Sequence, residues 1–163
     1  MTWFKILFSA ILIAVMTTGC YKNLPTIGNT QTVKLANEWW VTFNVGGKDL
    51  FNTHVAFDTY NTAVNNDSLW LDDLYGGYAL EFKSKVATDI KALTFSGAGV
   101  KNEYLDDTIT VSKGQVFPNG GVSKTGIITD SIYMEVNFSD DPGNTYIISG
   151  TARTQYAEDD YAF

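Results

Sequence analysis

Apolar and polar residues alternate along the chain from Asn37 onward, and this alternation is typical of strands that bury one face. The first alternating segment places on one face Trp39, Val41, Phe43 and Val45, and on the other face Glu38, Trp40, Thr42 and Asn44. Because the more apolar face turns toward a core, the pattern predicts that Trp39 lies inside the fold and that Trp40 lies outside it.

Short segments of the same kind recur, separated by residues that favour turns. Gly46 to Asp49 predicts a hairpin turn into a strand that carries Phe51, Thr53, Val55 and Phe57. Further strands are predicted at 68–71, 78–86, 93–95, 109–111, around Val116, and at 126–128, 132–138 and 145–153. Two more turns are predicted at 118–121 and 140–143, where Pro, Asn, Asp and Gly are concentrated.

No segment carries a helical period for more than about two turns. The pattern therefore predicts an all-β fold, an antiparallel up-and-down barrel of about eight strands, with a β-sandwich as the alternative. A barrel of that size has room for one small ligand. The ten Phe, nine Tyr and four Trp residues can surround such a ligand or simply fill the interior. The candidate ligand contacts on the inward faces are Val41, Phe43, Phe57, Leu80, Phe82, Met134 and Val136.

The N-terminus has the features of a secretory signal. Lys5 precedes an apolar run from Ile6 to Met16, which is too short to span a bilayer, and small residues follow. Cys20 stands where a bacterial lipoprotein signal places its acylated residue, although Thr17 replaces the usual leucine. The alternative is an ordinary signal followed by an accidental cysteine.

These features divide the chain into three predicted parts. Residues 1–19 are the lipoprotein signal peptide, residues 20–34 are the acylated cysteine and a flexible tether, and residues 35–163 are the barrel domain. Because Cys20 is the only cysteine, the domain cannot contain a disulfide and depends on packing alone.

The acidic net charge of the chain limits the kinds of partner that it can bind. The chain has 18 acidic and 11 basic residues, a net charge of −7, which argues against nucleic acid as a partner. It also argues against electrostatic docking on anionic lipid, so membrane attachment is assigned to the acyl chains on Cys20. Because no acidic run follows Cys20, we expect the protein on the periplasmic face of a bacterial outer membrane rather than on the cell surface. We also expect it to be a monomer.

Few residues are suited to catalysis or metal binding. His54 is the single histidine, and alternation places it on the polar face of its strand with Asn52 and Asp58. No G-x-S-x-G motif is present, and one His with one Cys cannot form a zinc site. Four Asp-Asp pairs lie near predicted turns, where solvated aspartates are more common than calcium ligands. We therefore expect no metal and no cofactor, and no catalytic residue is assigned.

Arg153 is the only arginine and ends the last predicted strand. In a closed barrel the last strand pairs with the first, which brings the guanidinium near Trp39 and Trp40. A cation on an indole ring contributes about 0.5–2 kcal/mol, so these three residues are predicted to form a structural clasp. The alternative is an exposed arginine at a strand end.

A first-strand tryptophan with a last-strand arginine resembles the calycin superfamily, to which lipocalins belong, although Asn37 replaces the glycine that usually precedes the tryptophan by two residues. The chain resembles more closely the Bacteroidetes lipoprotein family described as lipid-binding putative hydrolases. The matching segments run in order over nearly the whole mature chain, at 37–40, 59–63, 69–74, 129–133, 139–143, 146, 149–154 and 158–161. One departure is Thr151 with Ala152, where the family tends to have a basic pair.

The resemblance implies a calycin-like barrel and lipid binding, with a hydrolase label but no catalytic residues to carry over. Three functions stay open: a membrane-tethered module that binds a small apolar or lipid ligand in its barrel, a lipid or ester hydrolase, and a solid-cored structural or assembly lipoprotein. The first requires a pocket of roughly 300 Å³ or more.

Overall fold

The computed structural model describes residues 28–75 and 80–161, so the predicted signal peptide and Cys20 lie outside the described residues. Within these ranges every regular element is a strand, and no helix is present that could cross a membrane. The strands are β1 (Asn37–Val45), β2 (Lys48–Asp49), β3 (Val55–Asn61), β4 (Ser68–Asp72), β5 (Lys83–Asp89), β6 (Thr94–Lys101), β7 (Thr108–Val122), β8 (Ile128–Phe138) and β9 (Tyr146–Ala152).

Eight of these strands form a closed barrel. Each pairs antiparallel with its neighbour from β1 through β3 to β9, and β9 pairs again with β1, from Trp39 opposite Ala152 to Val45 opposite Tyr146. The two-residue β2 pairs only with the end of β1. The closure confirms the predicted up-and-down barrel, because in a sandwich the first and last strands would not complete a single ring of strands.

The barrel has two ends with different connections. The N-terminal end, where β1 begins, also carries the connections 62–67, 90–93 and 123–127 and the segment that follows β9. The opposite end carries the connections 46–54, 102–107 and 139–145, and the described residues 73–75 and 80–82 between β4 and β5.

Closure depends on a glycine in the last strand. Gly150 lies opposite Val41, and a Cβ at Gly150 would be 2.7 Å from the Val41 Cα and closer still to the Trp40 carbonyl. A side chain at this position would therefore push β9 away from β1.

The predicted hairpin at Gly46 and Gly47 is present, with φ of +57° and +79° at the two turn residues. Such positive φ values suit the twist of a tight hairpin and cost glycine little. The strand expected to follow it is interrupted, because β2 stops at Asp49 and the Asp49 carboxylate accepts a hydrogen bond from the Phe51 N–H at 3.1 Å. Regular pairing resumes only at Val55.

The turn predicted at 118–121 is wrong, because β7 runs through these residues to Val122. The register with β8 shifts between Phe117 and Gly121, and Asn119 has φ of +55°. A β-bulge uses the same residue types as a turn, which explains the error. The connection lies instead at 123–127.

Of the strand predicted at 78–86, residues 78–79 lie outside the described residues, and the described part begins later than expected. Leu80 and Phe82 lie in the connection that precedes β5, which begins at Lys83. Phe82 is nevertheless fully buried in the barrel.

The barrel interior is occupied by aromatic rings in mutual contact. Phe82 lies 5.8 Å from Phe57 and 5.6 Å from Phe138, measured between ring centroids. Contacts of Phe57 with Phe43, of Phe43 with Phe51 and of Phe138 with Tyr146 continue the same chain of rings. The barrel is therefore packed by its own side chains along this path.

At the N-terminal end, Trp39 lies in the core and its indole N–H donates to the Thr59 hydroxyl at 2.8 Å. That hydroxyl donates in turn to the Leu35 carbonyl at 2.6 Å. Leu35 is fully buried, and residues 31–35 form turns that bring it there. The described part of the predicted tether thus contributes to closing this end, and Thr32 within it is buried.

Candidate ligand-binding site

A cavity of about 370 Å³ lies on the outer face of β1 and β3, under the segment that follows β9. We call it the Trp40 pocket. Its lining consists of Glu38, Trp39, Trp40, Ala56, Asp58, Leu74, Arg153, Asp160 and Tyr161. The volume falls within the range of small-molecule sites, which are mostly apolar with a few placed polar groups.

Trp40 forms the apolar wall of this pocket. It faces outward, as alternation predicts, but is only 4% exposed because the C-terminal segment covers it. The Tyr161 ring packs edge-on against it with centroids 5.5 Å apart, and stacks on His54 at 4.2 Å. His54 is therefore partly buried, and this burial lowers its pKa below the usual value.

Arg153 connects the C-terminal segment to β1. Its Nε and Nη2 donate to the two carboxylate oxygens of Asp160 at 2.7 and 2.6 Å, and its Nη1 donates to Glu38 at 3.0 Å. The guanidinium lies 5.9 Å from the Trp40 ring centroid, whereas Trp39 lies inside the barrel. Because Arg153 is engaged by two carboxylates of the protein, it has little charge to offer an anionic ligand.

Three carboxylates form a row across the outer face. The strand register places Glu38 opposite Asp58, Asp58 opposite Asp72, and Asp72 opposite Lys83. The two outer members are neutralised, Glu38 by Arg153 and Asp72 by Lys83 at 3.1 Å. The middle carboxylate, Asp58, has no hydrogen bond or ion pair with any residue in the described ranges.

The Asp72 carboxylate is held by a separate polar cluster. It accepts hydrogen bonds from the hydroxyls of Tyr60 at 2.6 Å and Tyr104 at 2.7 Å. Burial acts to raise the pKa of Asp72, but these bonds and Lys83 outweigh it and hold the pKa below its usual value. Asp72 therefore stays ionised beside Asp58.

Burial raises the pKa of Asp58 to about 6, and the neighbouring charges of Glu38 and Asp72 act in the same direction. At neutral pH about nine in ten molecules still carry the ionised form. The pocket lining then carries the carboxylates of Glu38, Asp58 and Asp160 and the guanidinium of Arg153, so its net charge is negative. It favours a cationic or neutral polar group over an anionic one.

The described residues contain no cluster of His, Cys, Asp or Glu that could hold a metal ion. The expectation that the protein uses no metal or cofactor stays a prediction.

A second and larger depression, of about 730 Å³, lies on the outer face of β5 to β8. It is a shallower surface, and its lining includes Thr94, Ser96, Lys113, Gln115 and Tyr133. Phe95 and Phe117 also line it, but because it is more open to solvent than the Trp40 pocket, it would enclose a small ligand less completely.

The sequence-based ligand contacts lie elsewhere. Six of them are fully buried inside the barrel with no accessible surface: Val41, Phe43, Phe57, Phe82, Met134 and Val136. Leu80 is partly buried and borders a cavity of about 140 Å³ at the opposite end, together with Phe138 and Tyr146. Their role as ligand contacts stays a prediction, as does the structural role assigned to Trp39, Trp40 and Arg153.

Sequence reasoning did not identify Asp58, Asp160 or Tyr161 as pocket residues. Asp58 could have been found only from the register that places it between Glu38 and Asp72. Asp160 and Tyr161 follow the last strand, where no pattern indicates that the chain folds back over β1.

Comparison with known proteins gives one family. The sequence model of the lipid-binding putative hydrolases matches residues 24–157. No curated protein matches the chain. The matched range includes Glu38, Trp40, Asp58 and Arg153 of the pocket and ends before Tyr161.

Proposed function

Because this chain belongs to the lipid-binding putative hydrolase family, we propose that it binds a small lipid or other amphiphile in the Trp40 pocket while an acylated Cys20 tethers it to a membrane. The observation that carries the proposal is a preformed cavity of about 370 Å³ with an aromatic wall and the Asp58 carboxylate, which has no partner among the described residues. The barrel interior is the less suitable binding site, because six of the candidate contact residues there have no accessible surface.

The apolar part of the ligand lies against Trp40, Tyr161 and Leu74 in this proposal. Each methylene removed from water there contributes about 0.8 kcal/mol. The aromatic rings are already packed in place, so little side-chain freedom is lost when the ligand binds.

The polar end of the ligand is cationic or neutral. Asp58 supplies the attractive charge, because its carboxylate faces the cavity without a partner among the described residues. A carboxylate or phosphate group would meet Glu38, Asp58 and Asp160, and Arg153 is already engaged by two of them.

The tether and the location are supported by the sequence alone. The apolar run that ends at Gly19 and Cys20 supports acylation, and the residues after Cys20 contain no acidic run. The proposal therefore places the protein on the periplasmic face of a bacterial outer membrane. A hydrolase activity has less support, because the pocket lining includes a carboxyl group that titrates near neutral pH but no serine or histidine.

Tryptophan fluorescence tests the charge preference with two ligands of equal chain length. We expect dodecyltrimethylammonium to bind about tenfold more tightly than dodecanoate at neutral pH, which corresponds to about 1.4 kcal/mol. As the pH falls from about 7 to about 5, Asp58 takes up its proton and the affinity for the ammonium ligand falls.

The variant Asp58→Asn supplies the control for this titration. It should lower the affinity for the ammonium ligand toward that of the carboxylate ligand and remove the pH dependence between about 5 and 7. Equal affinities of the two ligands for the unmodified protein would contradict the assignment of Asp58.

A further inference from the structure

The N-terminal end of the barrel exposes an unusual number of large apolar side chains. Six of them lie in the turns, connections and strand ends of this end: Val33, Val64, Val122, Ile127, Ile128 and Tyr156. Val64, Ile128 and Val122 are the most exposed, at 69%, 66% and 61%. Isolated apolar side chains are common on protein surfaces, but several at one end of a barrel indicate a surface that is covered in use.

The hairpin between β7 and β8 concentrates part of this apolar surface. Val122 and Ile128 are paired directly across it, at the ends of strands of 15 and 11 residues. An apolar pair in this position contributes nothing to the barrel core, which it does not reach. Its side chains are therefore available to a surface outside the protein.

The opposite end also exposes four large apolar residues in the described ranges, Leu50, Leu74, Tyr75 and Leu105, but its connections are strongly acidic. The connections 102–107 and 139–145 carry Glu103, Asp106, Asp107, Asp140 and Asp141. At the N-terminal end the turns, connections and C-terminal segment carry four positive residues, Lys34, Lys91, Lys124 and Arg153, and four negative ones, Asp67, Glu158, Asp159 and Asp160. Only the N-terminal end combines apolar side chains with a balanced charge, which is the surface that a bilayer tolerates.

The covalent chain places this end near the proposed membrane anchor. Seven residues separate Cys20 from Gly28, where the described structure begins, and the eight residue-to-residue steps between them span at most about 29 Å when fully extended. The chain enters the barrel at Asn37, and before it the Gln31 N–H donates to the Asn65 side chain in the connection 62–67, at the N-terminal end. An acylated Cys20 therefore keeps Gly28, and with it the point where the chain joins this end of the barrel, within about 29 Å of the bilayer.

We propose that the N-terminal end of the barrel docks on the lipid bilayer to which Cys20 is tethered, with Val64, Val122 and Ile128 inserted at the level of the lipid head groups. This inference rests on the tether in the proposed function, and it adds a second contact and a fixed orientation. Apolar side chains inserted at this level strengthen an acyl anchor in the way that a second signal does.

Fluorescence quenching by lipid-bound nitroxide tests the orientation in the acylated chain. Three single variants, Val64→Cys, Val122→Cys and Leu105→Cys, each receive a bimane label, while acylation protects Cys20. Reconstitution uses phosphatidylethanolamine vesicles that contain an acyl-chain nitroxide lipid. We expect quenching of at least about twofold at the first two positions and none at Leu105, because apolar groups of surface-bound proteins enter only the outer 5–10 Å or so of the bilayer.

Two further outcomes separate the possible failures. Quenching at Leu105, or equal quenching at both ends, in a chain that floats with the vesicles overturns the orientation and leaves the tether intact. A chain that does not float with the vesicles contradicts the tether and this inference together. In neither case is ligand binding in the Trp40 pocket affected, because that is measured without vesicles.

Discussion

We expect the variant Ala56→Phe to weaken the binding of dodecyltrimethylammonium, with a Kd at least about tenfold higher in a fluorescence titration. Ala56 lies on the outer face of β3 directly opposite Trp40, and its side chain lines the pocket. A phenyl ring at this position occupies the space that the proposal assigns to the ligand. Because the side chain points away from the barrel interior, the ring does not disturb the core.

A matched variant shows whether the loss is specific to the pocket. Ala98 is exposed on β6 and does not line the pocket, so Ala98→Phe introduces the same ring without filling the cavity. We expect Ala98→Phe to bind the ligand with unchanged affinity. If Ala56→Phe also bound the ligand with unchanged affinity, the ligand would lie outside the Trp40 pocket. The interior residues Phe43, Phe57 and Met134 would then be the better candidates for ligand contacts.

The variant Phe82→Ala lowers the free energy of unfolding by about 3–5 kcal/mol, the range for truncation of a fully buried phenylalanine. Phe82 has no accessible surface and lies between Phe57 and Phe138 in the chain of rings across the barrel. Its removal leaves an apolar cavity that the neighbouring rings fill only in part. Urea denaturation measures the change.

The exposed Phe117 provides the control, since it is 41% accessible and lies on the outer face. Phe117→Ala should change the free energy of unfolding by less than about 1 kcal/mol. The ammonium ligand should still bind folded Phe82→Ala with the original affinity, because the Trp40 pocket is on the other side of the barrel wall. If Phe82→Ala lowered the free energy of unfolding by less than about 1 kcal/mol, the barrel interior would not be packed as the ring contacts indicate.

The barrel could be predicted from the sequence because its strands bury one face and expose the other. A strand with one buried and one exposed face has alternating apolar and polar residues. This alternation identified the inward positions of β1 and β8 residue by residue. The closure of β9 on β1 also followed, since sequential hairpins leave the first and last strands as the only unpaired edges.

Local irregularities could not be predicted in the same way. The Pro118 to Gly121 segment has the composition of a turn, yet it forms a bulge because β7 and β8 continue to pair on both sides of it. Composition reports which backbone conformations are accessible, whereas the tertiary pairing decides whether the chain reverses there.

The candidate site was less predictable than the fold for a related reason. Trp40 was assigned correctly to the outer face, but alternation cannot show that a later segment covers that face. The cover depends on long-range contacts of Arg153 and Tyr161, which have no periodicity. The raised pKa of Asp58 likewise comes from neighbours on two other strands and from burial.

Nuclear Overhauser effects between the dodecyl chain of the bound ammonium ligand and the protein identify the side chains within contact distance of the ligand. A ligand in the Trp40 pocket should give effects to the indole of Trp40, the methyl groups of Leu74 and the ring of Tyr161. Effects to Phe82, Met134 and Val136 in place of these would contradict this assignment and would locate the ligand inside the barrel.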